Sequence, residues 1–171
     1  MTPQEAQGLA SYLCQHLEME RQITRKILAA LPEDQLNFKL GEKGRTAADL
    51  AWHLVQAERS FAEGIAGLTF DSFSDGGQAP ASAAEIVAAY DRDVSPLVDR
   101  VKSMTGEQLA TPVSFMGIAT LPVVFYIGWT AHHTIHHRGQ LSTYLRAMNA
   151  HVPSMYGGSA DEPMMAASAT A

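Results

Sequence analysis

Four of the seven histidines fall within six residues, in the run AHHTIHHR from Ala131 to Arg138. Imidazole is a common ligand for divalent metals, and residues four apart on a helix stand one turn apart on the same face. Two pairs have that spacing, His132 with His136 and His133 with His137. Spacing does not choose between them, but the residues that follow do. Extending the first pair leads to Gly139, Gln140 and Thr143, which suit solvent or a contact between helices, whereas the second leads to Leu141, Tyr144 and Met148. The pair His133 and His137 therefore faces the core. Two imidazoles leave a metal short of ligands, so another element must contribute. His53, set among Leu50, Leu54, Ala57 and Phe61, is the candidate. A buried histidine needs a partner, here either an ion shared with the inward pair or, in a purely structural role, a backbone carbonyl. His16 and Glu20 share an apolar stripe with Leu9, Leu13 and Ile23 and could reach the same cavity, although Glu20 could equally face solvent or pair with Arg or Lys.

These side chains meet only if helices carry them. From about Pro3 to Leu31, apolar residues recur mostly at three- and four-residue spacing until Pro32, which predicts a first helix. Asn37 to Arg45, with two glycines and several charges, reads as a loop. Thr46 and Asp49 then form a helix start, in which the threonine oxygen accepts a free backbone N–H and the carboxylate favours the positive helix end. The second helix runs to about Leu68. Residues 71–81, rich in Asp, Ser, Gly and Pro, predict a long connection. Ser82 and Glu85 have capping-box spacing ahead of a third stripe through Ile86, Tyr90, Val94, Leu97, Val101 and Met104, which Pro96 should kink or split. After an irregular stretch from Thr105 to Thr120, Leu121-Pro122 fits the first turn of a fourth helix reaching Met148. No segment shows convincing strand alternation. The expectation is an all-α four-helix bundle over residues 1–150, with long connections after helices two and three, followed by a segment 151–171 partly packed on the bundle with a loose end.

Composition narrows the function. A chain of 171 residues with 46% hydrophobic and 18% charged residues is globular and fits one main core. A net charge of -6 with scattered Lys and Arg argues against nucleic acid as a partner. The lone Cys14 and an N-terminus without a basic start and apolar run point to a cytoplasmic protein. The apolar stretch Ile118 to Ala131 is shorter than the roughly 20 residues that span a bilayer, so no membrane segment is expected.

The stretch HTIHHRGQL, from His133 to Leu141, resembles the helix-four signature of the DinB family, and TAADLAWHL, from Thr46 to Leu54, resembles its helix-two signature. The run VPSMYGGSADE, from Val152 to Glu162, is similar to the C-terminal segment of one subgroup. The resemblance implies the DinB/YfiT-like bundle, with His53, His133 and His137 as ligands of one divalent ion at a site with an open position. His132 stands where an asparagine is common in the family, outside the three proposed ligands. The resemblance further implies nickel or zinc, with iron or manganese as further choices, and a homodimer in which Trp129, His132 and His136 lie on a neighbouring face. It extends to metal-dependent thiol transferases that join low-molecular-weight thiols to electrophiles. The expected function is thus metal-dependent chemistry on a small molecule, of thiol transferase or hydrolase type. The alternatives are a metal-binding stress-response protein without turnover and a helical interaction bundle whose histidines are structural. Glu58 and Tyr144 are the polar candidates for a direct catalytic role, and His136 and Arg138 for supporting hydrogen bonds or a subunit contact.

Overall fold

The structure is a computed structural model that describes residues 1–164 apart from Asp75, and every side chain among them except that of Leu97. The expected loose end of the chain falls largely on residues 165–171, outside the described residues. Helix α1, Pro3–Ala29, opens on a full capping box in which Thr2 and Glu5 satisfy each other's backbone N–H groups at 2.7 and 3.2 Å. Helix α2, Ala47–Gly67, begins as expected on Thr46, whose hydroxyl accepts the Asp49 N–H at 3.0 Å. Its next two exposed donors are not left to solvent: Ala47 and Ala48 donate to the carbonyls of Phe38 and Leu36, each at 2.9 Å. The preceding loop is thereby sewn to the start of α2.

The third stripe is split where Pro96 predicts. Helix α3, Ala83–Asp93, and α4, Ser95–Lys102, share Val94 as a joint, and Pro96 sits in the first turn of α4, where its missing N–H costs little. At the head of α3, Ser82 caps Glu85 at 3.1 Å, but the Glu85 carboxylate reaches the N–H of Ala81 rather than that of Ser82, so only half of the predicted box forms. A short helix α5, Gly106–Ala110, follows.

Two local expectations are corrected. Residues 105–120 are not irregular, and Leu121-Pro122 does not begin a helix. Strands β1, Pro112–Phe115, and β2, Ala119–Pro122, pair antiparallel, with Val113 opposite Leu121 and Phe115 opposite Ala119. Met116, Gly117 and Ile118 join the strands, and Met116 and Gly117 both have positive φ, 50° and 72°, in the tight turn that the Ile118 N–H closes on the Phe115 carbonyl at 2.9 Å. Four-residue strands hold too few alternations to register as a period, although Val113 and Phe115 are buried while Pro112 and Ser114 are exposed. The hairpin docks on helix α6, Val124–Ala147, through Tyr126, whose hydroxyl donates to the Val113 carbonyl at 2.7 Å and accepts the Leu121 N–H at 3.3 Å.

The core lies between α1, α2, the α3–α4 pair and α6, filled by Leu17, Ile27, Leu54, Ile65, Ile86, Val98, Ile127, Leu141 and Leu145. The fold is all-α, with one small hairpin added. No helix among the described residues is long and apolar enough to cross a membrane.

Candidate metal centre

His53 comes from the buried face of α2, and His133 and His137 from consecutive turns of α6. Leu141, Tyr144 and Met148 are buried and Gly139, Gln140 and Thr143 exposed, so the apolar neighbours identify the inward face of α6 correctly. His132 and His136 are exposed on the neighbouring face, beside a half-buried Trp129. Helix α2 packs along α6, and this seam closes the separation of 80 and 84 residues between the first histidine and the other two.

The three rings converge on one point. Their centroids are 5.1 Å apart for His53 and His133, 4.4 Å for His53 and His137, and 4.4 Å for His133 and His137. One nitrogen from each lies within 4.8 Å of the others, and the Nε2 atoms of His53 and His137 are 3.1 Å apart. Two nitrogens bound to one tetrahedral ion lie about 3.4 Å apart, so the cluster needs only small rotamer adjustments to hold one. Among the described residues the cluster offers three imidazoles, a donor set that suits zinc, nickel or iron.

A residue that sequence reasoning left on a solvent face completes the geometry. Gln140 Oε1 lies 2.8 Å from His137 Nδ1, and its amide nitrogen is 3.2 Å from His136 Nε2. With Oε1 accepting from Nδ1–H, the lone pair of His137 is on Nε2, the atom that faces His53. The signal was the i, i+3 spacing from His137 to Gln140. Burial, the largest cause, holds the His137 pKa below the usual histidine value, aided by His53, His136 and Arg45 and opposed by Gln140. The neutral, ligating form is thus favoured.

The two sides of the cluster differ. Behind His133 stands an aromatic wall in which Phe61 approaches the imidazole at 5.8 Å and stacks on Phe115 at 5.5 Å, with Phe70 and Phe73 packed edge-on against them. Gly64 permits this wall, since a Cβ there would lie 2.3 Å from the Phe70 ring. Beside His137 opens a cavity of about 410 Å³, lined by Leu40, Arg45, Leu50, Gln140 and Tyr144 among others. Tyr144 faces this cavity, and its hydroxyl donates to the Arg45 carbonyl at 2.9 Å.

Glu58 lies elsewhere. Its carboxylate is fully enclosed, accepting from Tyr90 at 3.0 Å and Thr134 at 3.3 Å, with Arg21 Nε 3.5 Å away. Desolvation pushes its pKa up to about 7, and the nearby Arg21 guanidinium offsets only part of that. The unfolded value is near 4.5, so between the two the folded state binds the extra proton. The stability this proton contributes is complete below the unfolded value and is lost as pH rises through the folded one. In the presence of chelator, wild type should therefore lose about 3 kcal/mol relative to Glu58→Gln across that range, read from urea denaturation. Parallel pH profiles for the two proteins would refute the assignment.

Arg138, expected in a supporting or subunit contact, is instead a core residue facing away from the histidines. Its Nη2 lies 2.5 Å from Glu20 Oε2, and Nη1 donates to the Glu20 carbonyl at 2.9 Å and Thr24 Oγ1 at 3.1 Å. Glu20 is thereby committed to α6, and His16 Nε2 lies 3.7 Å from the same carboxylate, so neither joins the histidine cluster. Tyr156, from the segment after α6, hydrogen bonds to Arg138 and donates to Glu20 at 2.6 Å. That segment is further held by Asp161, which accepts from the Val152 N–H at 2.9 Å and pairs with Arg146 at 2.8 Å.

A helical bundle with three histidines converging across its α2–α6 seam defines a class of protein that could hold a metal ion, and comparison with known proteins assigns it. The DinB family model matches residues 4–165, and the chain belongs to the DinB family. A DinB-like protein from Bacillus cereus ATCC 10987 is similar in structure with a TM-score of 0.74, at 27% identity, covering 84% of this chain and 95% of that one. A DinB-like protein of Bacillus subtilis, YjoA, shares the fold with a TM-score of 0.70 at 20% identity, covering 84% of this chain and 97% of that one. In sequence, the chain is 27% identical over 146 residues to the uncharacterized protein YrdA of Bacillus subtilis strain 168, spanning 85% of this chain and 86% of the relative.

Proposed function

We propose that His53, His133 and His137 hold one divalent ion, nickel or zinc first, and that the protein is a metal-dependent enzyme acting on a small molecule, of thiol transferase or hydrolase type. The observation that carries this reading is the convergence of three imidazoles, one of which, His137, also lines an open cavity. A divalent ion held by three neutral imidazoles with an open position lowers the pKa of water or accepts a thiolate. The chain's own residues prepare the place. Gln140 fixes the orientation of His137, the Phe61 and Phe115 rings wall the side of His133, and the cavity beside His137 has room for a small molecule.

The test is elemental analysis of protein purified without an affinity tag, followed by assays of the loaded protein with low-molecular-weight thiols and electrophiles, and with small esters. About one metal per chain and turnover in either assay are expected. Protein that takes up no metal under any loading condition would defeat the reading. A second reading, a metal-binding stress-response protein without turnover, is favoured by one observation: among the described residues no carboxylate lines the cavity to act as a general base. Metal at one per chain without turnover in any assay is its expected result.

A further inference from the structure

We propose that the cavity beside His137 receives a small carboxylate-bearing molecule, with the Arg45 guanidinium holding the carboxylate while a second donor atom of the same molecule reaches the ion. This inference rests on the metal-site reading above. The cavity, about 410 Å³, is within the size range of small-molecule pockets. Its lining is divided by chemistry: Leu40 and Leu50 are apolar, Gln140 and Tyr144 polar and neutral, and Arg45 and His137 carry the two groups able to engage an anion and a metal.

Arg45 is placed there by the backbone. Its carbonyl accepts the Tyr144 hydroxyl at 2.9 Å, and the residue after it is the N-cap of α2. Gly44 closes the loop on the same tyrosine, since a Cβ there would lie 3.1 Å from the hydroxyl oxygen. The Arg45 side chain is exposed, makes no ion pair among the described residues, and lines the same cavity as His137. The loop from Asn37 to Thr46 also carries Lys39 and Lys43 against a single acid, Glu42, in a chain of net charge -6. The loop that borders the cavity through Leu40, Gly44 and Arg45 thus carries a net positive charge on an acidic protein, which draws anions. A guanidinium fork matches a carboxylate with two parallel hydrogen bonds, and one lining cation balances one negative charge, which favours a carboxylate over a phosphate dianion.

The experiment uses the full chain, tag-free and loaded with cobalt(II), titrated with 3-mercaptopropionate and with 3-mercaptopropan-1-ol, binding being read from the near-ultraviolet absorption of cobalt with thiolate. The two probes differ in the carboxylate, and comparing their affinity ratio between proteins cancels their intrinsic difference in thiol basicity. Wild type should favour the acid by about fivefold more than Arg45→Gln does, with Arg45→Lys between them because it keeps the charge and loses the fork. Cobalt content should be the same in all three proteins. One cobalt per chain with the same acid-to-alcohol ratio in wild type and Arg45→Gln would overturn the inference and leave the metal site standing. Cobalt that fails to bind, or that is retained equally by His137→Ala, would overturn the metal-site reading and the inference with it.

Discussion

Replacing His53, His133 or His137 by alanine is expected to weaken metal binding far more than replacing His132, although His132 and His133 are neighbours. The reason is the facing of α6. A one-residue step on a helix turns a side chain by about 100°, so His133 points into the α2–α6 seam while His132 points to solvent. Removing one of the three imidazoles would take away a third of the proposed donor set. Even the loss of a residue that merely orients a ligand costs about 10- to 100-fold in affinity. Gln140→Ala should fall in that interval, because its carbonyl oxygen at 2.8 Å sets which nitrogen of His137 carries the lone pair. The three ligand variants should exceed it, and His132→Ala should match wild type. Competition against a chelator of known affinity, with circular dichroism to confirm the helices, makes the comparison. Equal losses for His132→Ala and His133→Ala would show that the inward pair is wrongly assigned.

The largest effect on stability is expected at Arg138, a residue with no part in the histidine cluster. Its guanidinium is almost completely buried, and the Glu20 carboxylate opposite is 3% exposed. Arg138→Met should cost about 3–5 kcal/mol, because it leaves the Glu20 charge enclosed in the core without its partner. That is a large share of the roughly 5–15 kcal/mol that stabilises a whole domain. The double variant Glu20→Met with Arg138→Met should recover much of the loss, since two apolar side chains of similar size need no desolvated charge to be matched. Tyr156 hydrogen bonds to both charges, so the coupling also reaches the segment after α6. Urea denaturation of the two single variants and the double gives the coupling energy directly. If Arg138→Met alone costs under about 1 kcal/mol, the pair is not the tie between α1 and α6 that its geometry indicates.

Local rules acting over one or two helical turns made the helices, the Thr46 cap, the split at Pro96 and the inward pair on α6 readable from the order of residues, because each depends only on neighbours three or four apart. The triad is a mixed case. His133 and His137 follow from their own helix, whereas His53 joined them in the sequence reading through its apolar setting and the family's helix-two pattern. Only the packing of α2 along α6 brings its Nε2 to 3.1 Å from that of His137. What no spacing revealed are features built by long-range contact. Arg138 sits one residue from His137 in the signature, yet its partner Glu20 lies 118 positions away. Glu58 is enclosed by Arg21, Tyr90 and Thr134, which come from three other helices. The hairpin at 112–122 brings Phe115 onto Phe61 although neither four-residue strand is long enough to show a period. The cavity beside His137 likewise exists only because the loop before α2 is tied to that helix and to Tyr144. The physical reason is common to all four: periodicity records which face of an element is apolar, but the partner of a buried charge, and the space left between elements, are set by which faces meet.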